Sequence, residues 1–406
     1  MLRPTFLAIP ACCFLLCAGL VHAEGIIDVN PYVGTNISYD DNVFRFSSPS
    51  QAQQAFGSSA TADTIKRLDV GVDATVRLSR QQLRLSTSLS ESRYNRFDLL
   101  DNTAKSALLA WDWQLGNDFF GVLSASKNES IAGFNEIRNP VKNLRTVERQ
   151  TASMNWRFHP DWTAYASRDQ LKTENDLAGF EALNRDDKIS ETGMRYRNPL
   201  GTQLALSYRL IDSAYPNRNG FAAVLFGDES VQSALTLEAA WLPSPKTHIS
   251  TRLSRVKIDY EDNPQREFSG LNQRVDIGHA LTSKVSLNVS VYKEVSPIDD
   301  ILSTYVESTG LSFNPSWAIS SKLVLRGGVG YEEREYLGST GIVSNGFLTA
   351  TDDRNDSSKT ANLALAYVPS LKSLVQLQYQ TEKRQSSINN QSYDFNSLSF
   401  VARYTF

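Results

Sequence analysis

Beyond its first residues this chain has no cysteine. Cys12, Cys13 and Cys17 all lie in an apolar segment from Phe6 to Val21, so a chain that has lost that segment has neither disulfides nor thiol chemistry. Long apolar runs are equally scarce. After Val21 none approaches the roughly 20 residues that a membrane helix needs, and the mean hydropathy is -0.32, which excludes a helical membrane protein. Charge of one sign is lacking too, with 41 Lys and Arg against 44 Asp and Glu. No basic block stands out, and nucleic acid is excluded as a partner. Histidine is rare: His22 sits in the leader, and His159, His248 and His279 lie in or beside short turns. Neither a nucleophile elbow nor a zinc-spaced pair is present, so neither an enzyme nor a bound cofactor is expected.

The compartment is written at the start. Arg3 precedes the apolar run, which closes on Val21, His22 and Ala23. That is the pattern of a secretory signal peptide cleaved after a small residue, expected over residues 1–23. A lipoprotein reading of Cys17 needs a small residue before it, and Leu16 stands there. Residues 24–406 are expected to form a single domain.

The pattern through that domain has a period of two. Leu68, Val70, Val72, Ala74, Val76 and Leu78 alternate with Asp69, Gly71, Asp73, Thr75 and Arg77. Successive side chains of a strand point to opposite faces, so this strand has one apolar and one charged face. The same alternation recurs around Leu204–Leu210, Val231–Trp241, Val285–Val291, Leu323–Tyr331 and Val375–Tyr379. Helical periodicity competes nowhere.

Connections alternate in length. Short ones are built on turn formers such as Gly116-Asn117-Asp118, His159-Pro160-Asp161, Pro199-Leu200-Gly201 and Pro243-Ser244-Pro245, and proline, which has no donor for a ladder, belongs there. Longer polar stretches lie between them, near Asp40–Thr64, Lys127–Thr146, Asp169–Asp187, Ile211–Asp228 and Glu333–Ser358. Short turns on one rim and long loops on the other, with polar and apolar residues alternating, describe an all-β, antiparallel, up-and-down transmembrane barrel of the Gram-negative outer membrane. Counting hairpins gives about 18 strands, with 16 as the alternative. The short rim then faces the periplasm.

The last strand presents Leu398, Phe400, Ala402, Tyr404 and Phe406 on one face. Phe400, Tyr404 and Phe406 look like the C-terminal β-signal read by the barrel-assembly machinery. Trp111, Trp113, Phe119, Phe120, Trp156, Phe158, Trp162, Trp241, Trp317 and Tyr367 flank the short turns, where Trp and Tyr form a girdle at the lipid headgroups.

Opposite the apolar faces stand Asp69, Asp73, Arg77, Arg84, Arg209, Arg252, Arg274, Asp276, Arg326, Gln376, Gln378 and Arg403. Both signs of charge together with amides predict a hydrated lumen, since a barrel of about 18 strands is wide enough for an aqueous channel. These side chains either form a polar track for a solute or pair with one another to stabilise a wet wall. The acidic clusters Asp40-Asp41-Asn42 and Asp352-Asp353-Arg354-Asn355-Asp356 lack the glycine and glutamate spacing of a calcium loop, so solvated loop tips are expected there and no metal. Only Glu24 to Pro31 precede the first strand, too little for a plug domain.

The opening Pro31-Tyr32-Val33 through Tyr39-Asp40-Asp41-Asn42-Val43-Phe44-Arg45 resembles the entry strand of EpsL-type outer-membrane proteins, a porin-like barrel family that accompanies exosortase-linked exopolysaccharide clusters. The resemblance implies a passive conduit for extracellular polysaccharide, working with periplasmic and inner-membrane export components in contact with outer-membrane lipid. It implies no catalytic residue. Asp40, Asp41, Asn42 and Arg45 either shape the first outer loop, fold inward to narrow the pore, or end the strand as a turn. The residues themselves leave two other functions open, a general or solute-selective diffusion porin and an adhesive barrel with a closed lumen.

Overall fold

The structure, a computed structural model, describes residues 26–135, 140–220, 223, 227–261, 264, 267–297, 305–337, 354–388 and 390–406. The proposed leader and its cysteines lie outside them. Eighteen strands follow one another along the chain. The first nine are β1 (Ile27–Asp40), β2 (Asp63–Leu78), β3 (Gln81–Tyr94), β4 (Asn102–Leu115), β5 (Phe119–Ile131), β6 (Leu144–His159), β7 (Trp162–Asn175), β8 (Arg185–Arg197) and β9 (Gln203–Ala214). The rest are β10 (Glu229–Ser244), β11 (Thr247–Asp259), β12 (Phe268–Ala280), β13 (Val285–Pro297), β14 (Tyr305–Ala318), β15 (Leu323–Leu337), β16 (Arg354–Ser370), β17 (Ser373–Ser386) and β18 (Tyr393–Thr405).

Each strand pairs antiparallel with its sequence neighbours, and β1 pairs with β18, which closes the sheet into a barrel without a free edge. Closure matters energetically, because an open edge in hydrocarbon would leave a row of backbone groups unbonded, each at a cost of several kcal/mol. Both ends of the barrel chain lie at the short-turn rim, where Ile27 pairs with Val76 and Tyr32 with Thr405.

Register fixes facing. Ile37 stands beside Phe400 and Lys66, and Leu377 beside Phe400 and Leu365. Following these rows round the ring gathers Leu68, Leu89, Leu109, Leu123, Leu206, Leu237, Leu253, Val291, Leu311 and Val329 onto one face, and each is exposed. In water such a surface would be an aggregation hazard; around a barrel it is the lipid-facing band. Its aromatic rim lies at the short turns: Phe119 stacks on Trp156 at 6.0 Å and Trp162 packs on Tyr196 at 5.1 Å. Phe120 is not part of this girdle. It pairs with Gln114 on the opposite face and lies under the Arg157 guanidinium at 5.4 Å, because a one-residue step along a strand reverses the facing.

Two differences from the sequence reading concern loops. Residues Pro49–Phe56 form a short helix, α1. It starts on Ser48, whose side chain accepts from the Gln51 amide, carries Pro49 at its first turn and ends on Gly57 at φ 70°, so caps rather than periodicity define it. In addition, several strands run further toward the long-loop end than the polar stretches suggest, β5 to Ile131 and β7 to Asn175.

Glycine has a packing role at Gly121 of β5. A Cβ there would collide with the Ser153 carbonyl oxygen and sit 2.7 Å from the Trp113 ring, which lies across the position. Gly121→Ala is therefore expected to destabilise the barrel by roughly 1–3 kcal/mol, as overpacking does, measurable as a lower urea midpoint for the reconstituted protein. An unchanged midpoint would show that the β5–β6 backbone and Trp113 shift apart at no cost.

Candidate functional site

The face opposite the lipid band encloses the lumen. Asp69 and Arg403 both neighbour Gly34, Asp73 neighbours Ser86, and Arg252 lies between Glu238 and Arg274. By the same rows Arg77, Arg84, Arg209, Asp276, Arg326, Gln376 and Gln378 point inward. The wall they form is cross-linked. Arg84 meets Asp112 at 2.6 Å, Arg209 meets Glu191 at 2.6 Å, Arg252 meets Glu238 at 2.8 Å, and Arg403 reaches Asp73 at 3.4 Å while stacking on Tyr32 at 3.6 Å. Arg274 bridges Asp276 and Glu294, both at 3.2 Å. Asp69 and Asp73 also accept from Ser90 and Ser86, and Gln376 donates to Gln378. Beside Arg252 and Arg274 the wall is indented by a cavity of about 210 Å³, lined also by Gln203, Glu238 and Asp276.

The two kinds of cation are segregated. Among the described residues every lysine within a strand lies on the outward face, whereas the inward-facing strand cations are arginines. A planar guanidinium holds a carboxylate in a fixed fork, and a flexible ammonium reaches out to the headgroups instead. Five inward arginines have no carboxylate partner among the described residues: Arg77, Arg157, Arg195, Arg197 and Arg326. All lie near the short-turn ends of β2, β6, β8 and β15. Arg157 and Arg195 lie over the rings of Phe120 and Tyr165. The short-turn mouth is consequently lined by cations that remain available.

At the other end the loops turn inward. The Asp40, Asp41, Asn42 and Arg45 group does so as a unit. Arg45 chelates Asp40 at 2.9 Å through both terminal nitrogens, adopts a left-handed φ of 57° and lies 3.6 Å above the Phe395 ring, on the inward face of β18. The Asn42 side chain donates to the carbonyls of Phe46 and Asp394 and accepts from the Phe46 amide, and Asp41 accepts from the amide and side chain of Asn396. The carboxylates of Asp40 and Asp41 are thus committed to protein donors. This clamp seats Phe44, fully buried, against Phe97 and Phe134, both at 4.8 Å, so that the loops after β1, β3 and β5 share one apolar cluster with Phe46, Phe56 and Leu100. Burying these rings offsets the entropy of ordering the loops.

A second tie crosses the lumen. Arg384 of β17 is buried with Asp356 and Arg354, meets Asp356 at 2.6 Å and donates to the Asn135 carbonyl at 3.2 Å. Asn135 belongs to the loop after β5, six strand steps away round the eighteen-strand ring. Tyr336 also accepts from Arg384. On the far wall Val256, Ile258, Tyr260, Val295 and Tyr305 form another buried cluster near the same end. In the loop after β9, burial pushes the Arg218 guanidinium down from its ordinary value while it stacks on Tyr215 at 3.6 Å and donates to the carbonyls of Ala182 and Gly227. Asp352 and Asp353 lie outside the described residues, and Asp356 is held by arginines rather than exposed at a loop tip.

Sequence reasoning missed these inward clusters. The available signal was phenylalanine in polar loops, at positions 44, 46, 56, 97 and 134, where solvated tips would have no use for it.

No protein-family model matches the chain, and no curated protein does. Solved structures do. The OccK2 (OpdF) structure of Pseudomonas aeruginosa in complex with glucuronate superposes with a TM-score of 0.53 at 10% identity, covering 94% of this chain and 100% of that one. The fold is that of a porin-like outer-membrane barrel. OpdK of the same organism, with vanillate, gives 0.53 at 11% identity over 93% and 98%, and a BenF-like porin of Pseudomonas fluorescens Pf-5 gives 0.53 at 11% over 94% and 99%. None of the three is named for polysaccharide export, and the EpsL resemblance draws no support from them.

Proposed function

We propose that this protein is a solute-selective diffusion channel of the outer membrane, preferring small hydrophilic molecules that carry a carboxylate. The observation that carries this reading is the arginine-rich inward face with its uncompensated cations at the short-turn mouth. A guanidinium binds a carboxylate through two parallel hydrogen bonds, and successive arginines let an anion exchange one partner for the next. The glucuronate and vanillate held by two structural neighbours are carboxylates of a size suited to such a path. Loops tied together across the other end favour small solutes over a thick polymer chain, so the porin alternative fits better than export. The outward row Phe400, Tyr404 and Phe406 is the segment we assign to recognition during barrel assembly.

Liposome swelling tests the reading. Vesicles containing the protein are expected to admit glucuronate faster than glucose and to exclude long dextran. Equal rates for glucose and glucuronate would remove the carboxylate preference, and no swelling with either would remove the channel.

A further inference from the structure

The apolar band of the outer wall thins over β6, β7 and β8. On β6 the outward residues stay apolar from Phe158 to Ala152 and turn polar at Gln150; on β7 Arg168 follows Trp162, Ala164 and Ala166; on β8 polar residues begin at Thr192 and continue through Ser190 to Lys188. Strand β2 carries apolar residues outward for longer, from Val76 to Leu68. Small side chains leave this sector concave. A groove of about 660 Å³ runs along it, lined by Leu83, Leu109, Trp111 and Leu123 at its apolar end and by Arg168 and Lys188 at its polar end. A second groove of about 640 Å³ continues from it past Trp113 and Met154, sharing Ala152 and Arg168.

The two cations differ from many of their outward neighbours. Lys105, Lys127, Lys172, Lys257 and Lys293 each hold an acidic partner at 2.5–2.9 Å. Among the described residues Arg168 and Lys188 have none; Arg168 meets only the Ser190 hydroxyl. A charge at membrane depth without a partner is costly, so the wall here calls for an anion supplied from outside the chain.

We infer that this groove is a binding site for a phosphorylated glycolipid of the leaflet on the long-loop side, its acyl chains lying along Leu83, Leu109 and Leu123 and its phosphate held by Arg168 and Lys188. The amphipathic order matches such a lipid: apolar length first, cations next, then the Gln150 and Gln170 amides as donors and acceptors for sugar hydroxyls. A free phosphate would leave the apolar groove empty. The inference concerns the outer wall and stands whichever solute passes through the lumen.

The test is native mass spectrometry of the detergent-purified barrel titrated with diphosphoryl lipid A. The intact protein is expected to retain one lipid A per barrel. The double variant R168Q and K188Q is expected to bind about tenfold or more weakly, since both charge-assisted bonds to the phosphate are lost. The pair K257Q and K293Q, whose lysines already hold acids, is expected to bind as the unaltered protein does. A152W, which fills the groove without touching a charge, is expected to weaken binding as well. Equal retention by the R168Q and K188Q variant, or equal binding of dephosphorylated lipid A, would overturn the assignment. So would a stable oligomer that the same variant dissolves without any change in lipid retention, because a second copy would then be what covers the groove.

Discussion

Replacing Asp356 with Asn is expected to lower the unfolding midpoint of the barrel sharply and to raise its single-channel conductance. Asp356 is 3% exposed and stands between Arg354, 8% exposed, and Arg384, 1% exposed. Removing the carboxylate takes a shared acceptor from two buried guanidiniums, and breaking a buried pair from one side costs about 3–5 kcal/mol. Arg384 also holds the Asn135 carbonyl across the lumen, so its displacement frees the loop after β5 and widens the path. Heat-modifiable migration or a urea midpoint reads the first effect and planar-bilayer recording the second. The triple variant R354M, D356L and R384M separates the two. Apolar replacement of a whole buried ion cluster is often neutral for stability, so this variant is expected to recover the midpoint but keep the raised conductance. A midpoint that does not move in D356N would show that water reaches the cluster and that Asp356 does not hold it.

Reversing Arg77 and Arg326 to Glu should turn an anion preference toward cations. Neither has a carboxylate partner among the described residues, and both face the lumen near the short-turn rim. Each reversal changes a local charge by two. For an ion passing about 8 Å away this amounts to about 1 kcal/mol even at a water-like dielectric, or roughly fivefold in relative permeability. The reversal potential in a KCl gradient near 0.1 M measures it, and the shift should fade near 1 M, where the screening length falls to about 3 Å. Arg84→Glu is a poor substitute for either change, since it would also break the pair with Asp112. An unmoved reversal potential places Arg77 and Arg326 outside the conducting path.

How much of this molecule could be read from its residues varies with the range of the interaction. The alternation from Leu68 to Leu78 and the turn residues at Gly116, Pro160 and Pro199 are local, and they were enough for a closed antiparallel barrel of 18 strands. Facing inside a strand follows from the same parity, which is why a charge opposite an apolar row can be placed from sequence. Phe120 shows where grouping by proximity to a turn is too coarse: it is adjacent to Phe119 in sequence and on the other side of the wall. Helix α1 escaped notice because eight residues held by caps carry too little periodicity to register. The EpsL resemblance rested on the stretch from Pro31 to Arg45, and its distinctive residues Asp40-Asp41-Asn42, with Arg45, serve a loop clamp against Asn396, Asp394 and Phe395. A structural clamp of that kind carries no information about what crosses the membrane.

By itself the sequence determined the strands, their approximate number, the lipid-facing band and the polar character of the interior, because each follows from a period of two and from turn chemistry within a few residues. Only the tertiary structure decided which charges neutralise one another, which arginines stay available, that Phe44, Phe97 and Phe134 meet, and that Arg384 reaches Asn135. Those contacts join residues up to 330 positions apart, as Arg403 and Asp73 are. Such distances are set by barrel closure and strand register, and no local pattern encodes them.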